Sequence, residues 1–335
     1  MTRIKARACA KINLGLKILG LREDGFHELR TVFQTLALAD RLEFELGPGR
    51  GVRFDCVAGR SRWPERLQAP ADGGNLVVKA AEMAREAFGL RGQIRIRLEK
   101  QIPVQSGLGG GSSDAATVLQ VLAAQARQPL PVGLLWRMAA ELGSDVAPFL
   151  LGGTVLGLGR GEETYALPDL PRWHTVLAMP PQGVGTAGAF RRWDERQGEN
   201  LRLTPGSASA TISSFCGLVD QALPASRLGR DRDAAVEVSR RPVRRNASKV
   251  HAGIENDFES VVFSLSPDFL RIQSNLLQAQ AQWVSLSGSG AAQYGLFAQR
   301  EQAQTAARAL HDLGPVWVTR FLPRSAYRRR WTVEG

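Results

Sequence analysis

The chain has 335 residues, 44% of them hydrophobic and 22% charged, with a formal net charge of +11. That length and balance fit a globular protein with one large or two medium domains. The three cysteines are scattered without a CxxC and the four histidines lack an HExxH spacing, so neither a disulfide framework nor a metal site is indicated.

Residues 4–20 alternate loosely through Ile4, Ala6, Ala8, Ala10, Ile12, Leu14, Leu16 and Ile18, which predicts a strand. Asp24-Gly25 marks a turn, and Val32–Leu38 and Arg41–Leu46 read as two further strands joined at Ala39-Asp40. Asn75–Phe88 has helical spacing, and Ile94, Ile96 and Leu98 alternate in a strand that runs to Pro103. A long Ala-rich helix should follow Ser112-Ser113, then a helix over Leu134–Leu142 and a short one beginning at Gly143-Ser144-Asp145. Thr175–Met179 reads as a strand. From Leu203 to Val250 periodicity degrades into Ser, Ala, Arg and Pro, which suggests an insertion. Regularity resumes at Asn256-Asp257-Phe258-Glu259, then Trp283–Leu286, a Ser287-Gly288-Ser289-Gly290 turn and an alternating segment to Phe297.

The most informative stretch is Gly107-Leu108-Gly109-Gly110-Gly111-Ser112-Ser113-Asp114. Four glycines in five residues free the backbone to aim its N–H groups at one point. The serines are expected to cap the following helix, whose unpaired amides and positive dipole end would favour a phosphate. No Lys-Ser/Thr follows the last glycine, which excludes a P-loop. About twenty positions on there is no carboxylate of the kind a dinucleotide site needs.

Three side chains near these turns stand out. Lys11 and Asn13 share one face of the first strand, where they either meet solvent or present an ammonium and an amide to a cleft. Asp145 either caps the short helix that begins near it or takes the proton of an attacking hydroxyl. The positive charge favours acidic partners: nucleotides, phosphorylated metabolites or RNA. Much of the excess is local, in Arg230, Arg232, Arg240, Arg241, Arg244 and Arg245 and in Arg328-Arg329-Arg330. No RNP-like aromatic motif accompanies these arginines, so a nucleic-acid partner is disfavoured. No apolar run reaches transmembrane length, so a cytoplasmic protein without membrane contact is expected.

The glycine loop, Ala10-Lys11-Ile12-Asn13-Leu14 and the late Ser-Gly-Ser-Gly turn together resemble the three motifs of the GHMP small-molecule kinases. Within that family, Arg22-Glu23-Asp24-Gly25-Phe26-His27-Glu28-Leu29, Thr31-Val32-Phe33-Gln34, Leu142-Gly143-Ser144-Asp145-Val146 and Asn256-Asp257-Phe258-Glu259 resemble the branch that phosphorylates cytidine diphospho-methylerythritol. The likeness covers most of residues 6–190 and 255–325. It implies an α+β fold in two lobes: a ribosomal-S5-like N-terminal lobe over residues 1–170 and a ferredoxin-like C-terminal lobe over residues 171–335, with 203–250 inserted.

The resemblance also implies roles. Lys11 and Asp145 would be the catalytic pair. Asn13, Phe26, His27 and Thr186 would hold the acceptor, with Phe26 and His27 on the cytosine. Asn75, Lys100, Pro103, Gly107, Leu108, Gly109, Gly110, Gly111, Ser112 and Ser113 would bind ATP, the phosphoryl donor, with Mg²⁺ carried by the nucleotide. Asp114 would repel phosphate unless it turns away or helps to hold that metal. Phe26 stands where the family usually has tyrosine, and Gln105-Ser106 where it has two small residues. A monomer and a homodimer are both compatible with the sequence. Two alternatives are weighed: another GHMP kinase of the homoserine or mevalonate type, and an RNA-binding protein on an S5-like scaffold. The Asp-Gly-Phe-His segment argues against the first.

Overall fold

The computed structural model describes residues 2–61, 63–198 and 255–334, so the 203–250 excursion lies outside the described residues. Two antiparallel hairpin strands, β1 (Thr2–Leu21) and β2 (His27–Gly47), form the spine of the molecule. With β3 (Gly51–Ala58), β4 (Gln93–Lys100), β5 (Thr154–Leu158), β6 (Glu163–Ala166) and the C-terminal β11 (Trp331–Glu334) they make a seven-stranded sheet. The second sheet holds four strands, in the order β10 (Val316–Arg320), β7 (His174–Ala178), β9 (Gln293–Phe297) and β8 (Trp283–Leu286).

Three helices cover one face of the first sheet: α1 (Leu76–Ala87), α2 (Gly110–Ala123) and α3 (Leu134–Leu142). Val77, Ala80, Ala81 and Ala84 repeat at i, i+3, i+4 and i+7, and all are fully buried against Ile4, Leu42, Ile94 and Ile96. Small residues on α1 let it lie close to α2. After α4 (Pro148–Leu151) and α5 (Thr186–Gln197), the second lobe continues with α6 (Glu259–Val262), α7 (Pro267–Gln278), α8 (Arg300–Ala309) and α9 (Arg324–Tyr327). A continuous apolar core of Ile12, Leu14, Leu108, Leu177, Phe258, Leu286 and Tyr294 joins the two lobes.

Four local readings are corrected. β2 does not break at Ala39-Asp40 but runs through it. The Asp40 carboxylate accepts hydrogen bonds from the Gln101 and Ile102 amides and from Lys100, so an acidic residue is satisfied inside a sheet. What looked like a turn is a bulge: Cys9 faces Ala39 while Lys11 faces Thr35. The bulged segment reaches the second lobe, with Leu36 bridging Phe321 and the Leu38 amide donating to Thr319. The short helix starts at Pro148, not at residues 143–145, because Pro is favoured in a first helical turn. Asp145 therefore caps no helix. Finally, α2 begins at Gly110 with Gly109 in the N-cap position at φ +69°, so Ser112 and Ser113 lie inside its first turn.

Candidate active site

The glycine loop lies where the two lobes meet. Gly107 and Gly109 both have φ above +60°, which the absence of a side chain permits. Space also requires glycine here: a Cβ on Gly107 would come within 2.0 Å of the Ser287 carbonyl oxygen. The Lys11 amide donates to the Leu108 carbonyl (3.0 Å), which fixes the loop on β1. From the other lobe the Ser287 hydroxyl donates to the Gly107 carbonyl (2.9 Å), and the Ala292 amide to that of Ser106 (3.0 Å). Asn256 holds this second turn by donating to the Leu286 and Gly288 carbonyls. The two Gly-rich turns thus form one built unit, with Asn256 as its brace.

A cavity of about 350 Å³ opens over the loop. Of the ten residues expected to bind ATP, Asn75, Lys100, Pro103, Gly107, Gly109, Gly110, Gly111 and Ser112 line it, together with Asp145 and Thr186. Leu108 and Ser113 do not; both are fully buried and face the core. Two of the lining groups are already engaged. Asn75 caps α1, accepting from the Val77 amide (2.9 Å) and donating to the Pro70 carbonyl. The Lys100 ammonium is bonded to Asp40 and, at 2.8 Å, to Asp114. Asp114 joins this ionic cluster through Oδ2 while it also lines the cavity, and its buried Oδ1 has no hydrogen-bond partner among the described residues. Burial pushes its carboxyl well above the ordinary carboxylate range, against the pull of Lys100.

The loop glycines differ in where a side chain would go. A Cβ on Gly110 would meet Ile102 and the Lys100 ammonium at 3.1 Å, pointing inward. On Gly111 it would find only Leu76 at 3.9 Å, and Gly111 is exposed to the cavity.

Beside the loop, Lys11 is 3% exposed. Its ammonium donates to Asn13 Oδ1 (2.7 Å) and lies 3.3 Å from Asp145 Oδ2. The Asp145 side chain itself is 45% exposed, so one carboxylate faces both a sealed ammonium and the open cavity. Asn13 donates in turn to the Thr31 hydroxyl (2.8 Å), which donates to the Gly15 carbonyl. Strand alternation brings Lys11 and Asn13 to one face, as their spacing predicts. Thr186 opens α5, and its hydroxyl accepts from Ser289 at 3.0 Å.

Phe26 and His27 sit at the far end of the β1–β2 ribbon, six residues along β2 from Phe33, the cross-strand partner of Asn13. At ~3.3 Å per residue that is at most about 20 Å from the level of Asn13. His27 Nε2 is 2.7 Å from Asp194, and its ring stacks on Phe190 with centroids 4.6 Å apart. Trp193 meets the same ring edge-on. Phe26 is 51% exposed, and Arg160 lies over its ring at 4.6 Å.

Phe190, Trp193, Asp194 and Arg160 were not anticipated from sequence. The 190, 193, 194 spacing does mark one face of α5, but nothing local connects that face to His27, 167 residues earlier.

An S5-like sheet lobe joined to a second α/β lobe, with a phosphate-type loop between them, defines a small-molecule kinase architecture. Residues 75–153 match the GHMP kinases N terminal domain and residues 234–316 match GHMP kinases C terminal. The chain belongs to the GHMP kinases. It is 40% identical over 327 residues to a 4-diphosphocytidyl-2-C-methyl-D-erythritol kinase of Solibacter usitatus (strain Ellin6076), covering 97% of this chain and 90% of that one. Against the protein of the same description from Moorella thermoacetica (strain ATCC 39073 / JCM 9320) it is 38% identical, over 92% of this chain and 95% of the other. A crystal structure of 4-(cytidine 5'-diphospho)-2C-methyl-D-erythritol kinase superposes with a TM-score of 0.69 at 30% identity, covering 95% and 99% of the two chains. A homoserine kinase from Cytophaga hutchinsonii ATCC 33406 shares the fold, with a TM-score of 0.68 at 22% identity over 99% and 97%. No helix among the described residues is long and apolar enough to cross a membrane.

Proposed function

We propose that this chain transfers the γ-phosphoryl group of ATP to the 2-hydroxyl of 4-diphosphocytidyl-2-C-methyl-D-erythritol, in the non-mevalonate route to isoprenoid precursors. The observation that carries the phosphotransfer is the Lys11–Asp145 pair, one member sealed and the other open to a cavity floored by a glycine loop. The long near-full-length relatives carry the choice of acceptor.

The acceptor hydroxyl is tertiary and crowded, so holding it in line supplies much of the acceleration. Asp145 takes or orients its proton as the oxygen attacks phosphorus and the bond to the leaving ADP oxygen breaks. Lys11 cannot swing away, because Asn13, Asp145 and the Phe33 ring at 5.4 Å surround it. Its ammonium therefore stays where negative charge develops. The loop amides receive the triphosphate. Mg²⁺ carried with ATP would neutralise phosphate charge.

An elongated acceptor suits the ribbon geometry. Its hydroxyl end lies near Asn13 and Thr186, and its base end reaches Phe26 and His27. Arg160 already covers one face of Phe26, which leaves the other face for the cytosine. With Asp194 on Nε2, His27 keeps Nδ1 for the base edge. We place the division between lobes near residue 170 and the enzyme in the cytoplasm.

Phosphorus NMR of the product tests the reaction. Transfer to the 2-hydroxyl should give a phosphomonoester signal with no three-bond coupling to a carbinol proton. A doublet or triplet from a secondary or primary carbinol contradicts the proposal.

A further inference from the structure

Away from the ATP pocket, a cleft of about 520 Å³ lies between the outer face of the first sheet and the C-terminal segment. Its lining includes Lys5, Arg7, Arg41, Arg320, Arg329 and Arg330 against a single carboxylate, Glu43. The reason for this imbalance is visible in the strand register. Along the β1–β2 face, Arg3 pairs with Glu45 and Lys5 with Glu43, but Arg7 falls directly opposite Arg41. Opposed like charges on neighbouring strands destabilise a sheet unless something neutralises them. Arg41 reaches Glu99 only at 3.3 Å, and the Arg7 guanidinium donates to the uncharged Ala37 carbonyl.

The C-terminal segment adds further positive charge over this row. Arg330 is anchored there: its guanidinium donates to the Tyr327 carbonyl and to Gln120, and stacks over the Tyr327 ring at 3.8 Å. Arg320 and Arg329 are exposed at the rim. Ala37, Leu322 and Ala326 complete the wall with apolar surface. Cys9 lies at the bottom, but burial pushes its thiol up to about 11, so it does not act as a reactive thiolate.

We propose that this cleft binds the diphosphate group of a small molecule, at a site separate from the ATP pocket. Cations converge on it from three directions: β1 and β2, the end of β10, and the C-terminal segment. Two linked phosphates offer more oxygens to these three groups of cations than a single phosphate does. The half-open cleft with its apolar wall suits a compact metabolite better than a polymer backbone.

The test uses full-length protein saturated with a non-hydrolysable ATP analogue and with 4-diphosphocytidyl-2-C-methyl-D-erythritol, so that the glycine loop and the acceptor's own diphosphate region are both occupied. Inorganic pyrophosphate is titrated by calorimetry in phosphate-free, low-salt buffer. The expected result is one remaining site whose dissociation constant rises at least tenfold in Arg41→Ser/Arg329→Ser, with the KM for ATP unchanged. Should the double variant fail to fold, Arg329→Ser alone should still weaken binding severalfold, since that side chain is exposed. Inorganic phosphate should bind at least tenfold more weakly than pyrophosphate. Loss of pyrophosphate binding in the presence of the analogue, or indifference to both variants, overturns the site. Equal affinity for phosphate overturns the diphosphate assignment. Tighter binding of single-stranded RNA, lost in the same variants with a steep salt dependence, would make the cleft a nucleic-acid surface instead.

Discussion

Lys11 and Lys100 are both buried, both paired with aspartate, and both touch the glycine loop from below, yet they sit in opposite electrostatic situations. Lys100 is enclosed with Asp40 and Asp114, and all three are 2% exposed or less. Desolvation works against its charge, but two carboxylates outweigh that, and its ammonium is held well above the ordinary lysine value. Lys11 has one carboxylate partner, and that partner is nearly half exposed. A sealed ion cluster can only hold structure together. A sealed lysine with an open aspartate has a proton acceptor that substrate can reach. In the mechanism we propose, the difference between support and chemistry is carried by the exposure of the acid and not by the lysine.

The largest effect expected is on Lys100. Lys100→Met leaves Asp40 and Asp114 buried without their counter-ion, and should cost about 3–5 kcal/mol of stability, read by denaturant unfolding. Lys11→Met, whose acid partner can meet water, should cost clearly less. Equal losses would erase the distinction.

Asp145→Asn should reverse the pattern. We expect kcat to fall by about a hundredfold or more, with the melting temperature and ATP affinity little changed. Near-normal turnover would remove Asp145 from the mechanism.

The loop glycines sharpen the same contrast. Gly110→Val pushes into Ile102 and Lys100 and should destabilise by about 1–3 kcal/mol. Gly111→Val points into the cavity and should raise the dissociation constant of an ATP analogue by about tenfold, with stability preserved. Interchanged outcomes would mean that the cavity over the loop is not the triphosphate site. At the other end of the ribbon, Phe26→Ala should raise KM for the cytidine substrate about tenfold and leave KM for ATP unchanged, on the scale of one lost base stack.

The smallest effect is a slope. Burial raises the Asp114 carboxyl, so the folded protein holds that proton more tightly than the unfolded chain. Its stabilising contribution is full below the unfolded aspartate value and is lost as pH rises through the folded one. Asp114→Asn removes this dependence. As pH rises from 5 to 8 its melting temperature should therefore gain on the parent's. A constant difference across that range would mean Asp114 is ionised throughout.

What the sequence reveals about each lysine follows from range. Lys11 and Asn13 are two residues apart on a strand, and the loop is contiguous, so period and composition display them directly. The ion cluster joins residues 40, 100 and 114 across three elements, and no local pattern announces it. For that reason the sequence offers Lys100 only as an ATP-binding residue and Asp114 only as a carboxylate beside the phosphate loop, and their bond to each other beneath the loop comes from the tertiary fold. Continuity of β2 through Asp40 was hidden for the same reason, since turn chemistry at Ala39-Asp40 is outweighed by a distant lysine and two amides. The aromatic end is half legible: Phe26 and His27 follow a readable Asp-Gly turn, but Phe190 and Asp194 reach them only through the tertiary fold.

The acceptor specificity is the central claim, and ADP release measures it most directly. With ATP and Mg²⁺, the enzyme should release ADP rapidly with 4-diphosphocytidyl-2-C-methyl-D-erythritol and at the acceptor-free background with homoserine or mevalonate. Comparable release with homoserine or mevalonate, or none above background with the cytidine substrate, would contradict it.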